Sequence, residues 1–105
     1  MKITKDKNLK IFIDQLRKHF GRNLKKIILF GSRARGDYTD DSDYDFILIF
    51  DEVTPQIKNK LDGLCLEMLL EHEMVISDFA LTEEDLERKR YEPFIMNAKR
   101  EGVLL

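Results

Sequence analysis

Between Phe30 and Leu48 the chain reads FGSRARGDYTDDSDYDFIL, and two opposite chemistries share that span. Gly31, Ser32, Arg33 and Arg35 are suited to an anion: a glycine lets a ligand approach the backbone, a hydroxyl donates, and arginine adds charge. Asp43 and Asp45, with Asp40 and Asp41 before them, are suited to a cation. Taken together the two halves suit a metal–phosphate complex. Taken apart they are a basic turn followed by a solvated acidic rim.

The aspartates allow three readings. Side chains alternate along a strand, so Asp43 and Asp45 would share a face with Ile47 and Ile49. At an exposed strand end water screens such a pair, and the rim reading stands on that. A calcium loop is the second reading, since Asp41, Asp43, Asp45 and Glu52 fall at offsets 1, 3, 5 and 12 of an EF-hand. It fails because Phe46 occupies the offset that needs glycine, and because FILIF (46–50) continues as a strand. The third is a divalent-metal clamp, in which two carboxylates on a rigid strand supply hard oxygen ligands and phosphate and water complete the shell.

A phosphate site nearby would favour the clamp over the rim. Gly31-Ser32 directly follows the apolar run KKIILF (25–30), where backbone N–H groups at the start of a helical turn point outward as anion donors. Gly36 lets the chain return, which would bring Ser32 beside Asp43 and Asp45. Arg33 and Arg35 should diverge, leaving one of them facing the site. The pattern is neither a Walker A loop nor a dinucleotide fingerprint.

The elements that must hold this span are readable from periodicity. Leu9, Phe12, Ile13, Leu16 and Phe20 form one helical stripe, predicting a helix over 8–20 that stops at Gly21. Strands are predicted over 25–30, 42–50 and 74–81. Ile57, Leu61, Leu64, Cys65, Met68 and Leu69 mark a second helix within 54–73. Thr82 with Glu83, Glu84 and Asp85 resembles a helix N-cap, and Pro93 suits the first turn of a last helix ending near Gly102. The order predicts a single α+β two-layer domain over 1–105, helices packed on a small mixed sheet.

Composition sets outer bounds. The 105 residues fit one domain; 43% are hydrophobic and 36% charged, as in a globular protein. A formal net charge of −2 gives no basic field for bulk nucleic-acid binding, and direct binding of that kind is not expected. One cysteine excludes an internal disulfide, no apolar run has membrane-span length, and the basic start MKITKDKNLK lacks the apolar stretch of a secretory signal. A cytoplasmic protein is expected.

With these residues in place, GSRARGDYTDDSDYD resembles the signature of the DNA polymerase β-like nucleotidyltransferase superfamily: Gly-Ser, a spacer, then Asp-x-Asp. The form Gly31-Ser32-x-Ala34-Arg35-Gly36 … Ser42-Asp43-x-Asp45 is similar to the minimal nucleotidyltransferases, small proteins often paired with an all-helical HEPN protein in toxin–antitoxin systems. The resemblance implies the polymerase β-like fold. It also implies that Gly31, Ser32 and Arg35 bind the phosphates of ATP and that Asp43 and Asp45 ligate two Mg²⁺ ions. A third carboxylate on a later strand would complete the metal site and help deprotonate the acceptor hydroxyl. Asp78 is the candidate, in mid-strand with Met74, Ile76 and Ala80; Glu73, on the opposite face, is its competitor. The reaction implied is transfer of AMP to a hydroxyl, with a tyrosine of a HEPN partner as the precedent.

Other residues read as structural. Cys65 lies on an apolar stripe, His19 and His72 sit near helix ends, ERKR (87–90) suits a solvated helix face, and Tyr38 and Tyr44 suit packing. Two alternatives stay open. One is a catalytically weak or inactive module that neutralises its partner by contact. The other is a small-molecule nucleotidyltransferase, which would need an acceptor pocket from a homo-oligomer or partner chain.

Overall fold

FILIF shows no polar alternation, and a strand of that kind must be covered on both faces. In the computed structural model of the protein, which describes residues 6–105, Phe46, Ile47, Leu48 and Ile49 are all fully buried. The chain runs α1 (Lys7–Phe20), a 3-10 turn, β1 (Leu24–Phe30), α2 (Ser32–Arg35), β2 (Tyr44–Phe50) and α3 (Pro55–His72). It continues through β3 (Ile76–Leu81), α4 (Glu83–Arg88), α5 (Pro93–Glu101) and β4 (Val103–Leu104). The basic start read as unlike a secretory signal includes residues 1–5, which lie outside the described residues. Among the described residues no helix is long and apolar enough to cross a membrane.

The four strands form one mixed sheet in the order β3-β2-β1-β4. β1 is antiparallel to both β2 and β4, whereas β3 runs parallel to β2. On one face Phe46, Leu48 and Phe50 pack with Leu9, Phe12 and Leu16 of α1 and Leu61, Leu64 and Met68 of α3. On the other, Ile47 and Ile49 pack with Phe30, Leu81, and Ile95 and Ala98 of α5. The helices therefore cover both faces instead of forming the expected two layers. The double-sided strand β2 requires that second cover. Each fully buried side chain of this size contributes about 1.5–3 kcal/mol, and the acidic span leads into the first residues of this buried strand.

The helix signals act as expected. Asp6 caps α1 by accepting from Leu9 N at 3.0 Å, and Thr82 and Asp85 form a reciprocal capping box on α4. Pro93 opens α5, which ends before Gly102. Three differences bear on the site. β2 begins at Tyr44, so Asp43 stands in the preceding loop; β3 begins at Ile76; and β4, two residues long, closes the sheet's far edge.

Candidate active site

Phe30, the last residue of β1, pairs with Asp45 across the antiparallel ladder, so the next turn starts beside that carboxylate. Gly31 there has φ +74°, a conformation that L side chains rarely adopt, and a Cβ would collide with Asp45 Oδ2. Both reasons require glycine. The turn then closes into α2: Ala34 and Arg35 N–H donate to Gly31 O at 3.1 and 3.0 Å, and Gly36 N–H to Ser32 O at 2.9 Å. The N–H groups of Ser32 and Arg33, in the first turn, have no acceptor within the helix.

The two arginines diverge as the sequence suggested. Arg35 Nη1 donates to both oxygens of Glu101, at 3.0 and 3.1 Å, and Arg35 Nε to Asp37 Oδ2 at 3.1 Å. Those bonds, the Glu101 bond foremost, hold the guanidinium above its ordinary pKa. Arg33 is buried and turns the other way. Its guanidinium lies between the rings of Tyr38 and Tyr44, 4.5 and 4.2 Å from their centroids. It donates to Ser42 O at 3.2 and 3.0 Å and to Asp40 O at 3.3 Å. Arg33 thus braces the loop that delivers Asp43; both tyrosines stack on it, and Tyr44 OH also donates to Asp6 Oδ2 at 2.6 Å.

Asp45 is half-buried; burial pushes its carboxyl above the usual range and Asp43 adds to that, while Arg35 opposes it. Asp43 is exposed at the end of the loop. These two carboxylates offer hard oxygen donors beside the Gly31 turn, which fits Mg²⁺ completing its shell with water and phosphate. Among the described residues no three His, Cys, Asp or Glu side chains are gathered to hold a metal by themselves.

Asp78 is not brought to this place. The parallel register pairs Asp45 with Ser77 and Phe46 with Asp78, so Asp78 points to the α1–α3 face. There it accepts a hydrogen bond from Cys65 Sγ at 3.7 Å, and burial raises its pKa. Burial, followed by Asp78, pushes the Cys65 thiol up to about 12, consistent with a core residue. Glu73 is exposed, outside β3, and caps α3 with φ +53°. On the Asp45 face β3 presents Ser77 and Phe79, the latter stacked on Phe94 at 4.3 Å.

Besides Asp45, the carboxylate that reaches the turn is Glu101, at the end of α5, whose Oε1 accepts from Gly31 N–H at 3.2 Å. Sequence reading missed it. Its one local signal is an acid in a last helical turn, where the dipole favours cations.

Comparison with known proteins follows the same lines. The family model described as nucleotidyltransferase domain matches residues 9–104. A candidate protein adenylyltransferase of Methanocaldococcus jannaschii is 35% identical over 103 residues, 98% of this chain and 99% of that protein. A second from the same organism is 38% identical over 55 residues, 51% of this chain and 56% of the relative. Among solved structures, a candidate nucleotidyltransferase from Sulfolobus solfataricus aligns with TM-score 0.58 at 26% identity, covering 93% of this chain and 76% of the other. A toxin–antitoxin structure with AMP-PNP aligns with TM-score 0.61 over 90% and 70% of the chains; at 18% identity that likeness is one of fold.

Proposed function

The chain belongs to the nucleotidyltransferase domain family and is an enzyme of that class; from that premise we propose that it transfers AMP from ATP to a hydroxyl of a partner protein, a tyrosine of a helical HEPN-type toxin. The observation that carries this reading is the meeting of two chemistries at Gly31: backbone donors and Arg35 on one side, Asp45 and Asp43 on the other. The relative named for protein adenylylation supports the protein acceptor, and the toxin–antitoxin fold neighbours support the kind of partner.

In this reading the turn's N–H groups, Ser32 Oγ and Arg35 bind the β- and γ-phosphates and leave the α-phosphorus open to in-line attack. The acceptor oxygen forms its bond to the α-phosphorus as the bond to the bridging oxygen breaks, and pyrophosphate leaves with that electron pair. Mg²⁺ held by Asp43 and Asp45 would supply positive charge to the entering and leaving oxygens. The carboxylates at hand for the hydroxyl proton are Asp43, Asp45 and Glu101. ATP as donor makes the cytoplasm the place of reaction.

A second reading, silencing of the partner by contact alone, draws on the face of β3, where Ser77 and Phe79 add no acid to the pair. Calorimetric titration with ATP, with and without Mg²⁺, tests the first reading beside the Asp43→Ala/Asp45→Ala variant. Binding that requires both metal and aspartates, followed by gain of an AMP mass on the partner, is the expected result. Unchanged affinity in the double variant removes the metal reading; binding without transfer supports the contact module.

A further inference from the structure

Glu101 stands where its own helix disfavours it. It is the last residue of α5, next to the negative end of the helix dipole, and its negative charge repels that of Asp45. Gly102 makes the placement achievable. A Cβ there would collide with Ala98 O and come within 2.9 Å of Ile28 Cγ2, so only glycine lets the helix end lie against β1. The result is a side chain only 16% exposed, its carboxylate held by Gly31 N–H at 3.2 Å and by Arg35 at 3.0 and 3.1 Å. A backbone N–H and a guanidinium converging on one group are the donors a phosphate oxygen takes. An unfavourable acid kept on such donors marks a functional position.

We propose that Glu101 is the internal anion of the nucleotide site, holding the Gly31 N–H and Arg35 until a phosphate takes them. The inference rests on the triphosphate reading of Gly31, Ser32 and Arg35. Displacing Glu101 returns a carboxylate to a neighbourhood already containing Asp43 and Asp45. A ligand with one phosphate replaces few of the lost bonds, whereas a metal-bound triphosphate replaces them all and neutralises the acids. Glu101 thereby sets a threshold that favours triphosphate over monophosphate. As pyrophosphate departs, the same carboxylate returns to the vacated donors and assists release.

The test is titration of the wild-type chain and Glu101→Gln with Mg·ATP, Mg·tripolyphosphate and AMP. The neutral amide competes less well for Arg35, so Mg·ATP and tripolyphosphate should bind roughly threefold to tenfold tighter, the difference between a charged and a neutral hydrogen bond. The preference for ATP over AMP should narrow. Equal or weaker binding of tripolyphosphate by Glu101→Gln overturns the proposal, the weaker case making Glu101 a ligand-side group instead of a competitor. Wild-type chain that ignores Mg·ATP while Glu101→Gln binds it supports the proposal in its strongest form. Failure of both to bind removes the nucleotide reading and this inference with it. Should Glu101→Gln not fold, Glu101→Asp, one methylene shorter, is expected to release the same donors and show the same gain.

Discussion

Asp45 and Asp78 lie on adjacent parallel strands yet point to opposite faces of the sheet, because Asp45 is paired with Ser77. One looks onto the Gly31 turn and the other into the α1–α3 side, beside Cys65. Two carboxylates that share a strand pair therefore stand in different surroundings. Asp45 belongs to the candidate active site, whereas Asp78 is a half-buried acid in the core's margin.

Asp78→Asn is accordingly expected to leave Mg·ATP affinity unchanged while raising the melting temperature at pH 7. Burial raises the folded pKa of Asp78 above its ordinary value. Below that ordinary value folded and unfolded chains both hold the proton and the group contributes nothing. As pH climbs toward the raised value the unfolded chain ionises first, so stability falls, and above it the penalty is constant. The variant removes this share of the slope, which melts across pH 3–7 would register; loss of nucleotide binding would contradict the assignment.

Ser32→Ala should weaken tripolyphosphate and ATP binding roughly threefold to tenfold, the worth of one hydrogen bond. AMP, which has no β- or γ-phosphate, should be affected much less. Equal losses for ATP and AMP in parallel titrations would take Ser32 away from those phosphates.

Gly31→Ala and Gly36→Ala separate backbone strain from a blocked site. Both glycines have positive φ, so each alanine should destabilise the fold by about 1–3 kcal/mol. Only the Gly31 methyl meets Asp45, since the space at Gly36 is open. Denaturant titration should find both variants weakened, but calorimetry should find ATP binding lost only at Gly31.

Arg33→Lys tests the brace behind Asp43. Lysine keeps the charge but loses the planar stack between Tyr38 and Tyr44 and the paired bonds to Ser42 O. A loss of about 1–3 kcal/mol in stability is expected from the carbonyls left unpaired. Mg·ATP affinity should fall with it, although Arg33 faces away from the turn. Stability loss with full affinity would mean that Asp43 is positioned by other means.

How far the molecule is legible in its sequence follows from the range of the interactions. FILIF, the Thr82 cap, Pro93 and Gly102 act within a few residues, and the elements they mark appear where expected. The face of Asp78 within its own strand is also legible, for it does share a side with Ile76 and Ala80. Whether that side is also the side of Asp45 depends on register between strands, which no local pattern encodes. The second layer of helices, the two-residue β4 and the contact of Glu101 with Gly31, 70 residues apart, depend on tertiary packing. The Gly-Ser and Asp-x-Asp pattern therefore pointed to Gly31 and Asp45, which the fold does bring side by side, but not to Glu101.

The burial of β2 on both faces has a bearing on motion. Amides at Phe46 through Ile49 should exchange with solvent only through global opening, among the slowest in the chain. Asp45 stands one residue before them on that buried strand, while Asp43 sits in an exposed loop held by Arg33 through Ser42 O and Asp40 O. The two carboxylates thus rest on different supports, one on the core of the sheet and the other on a single buried arginine.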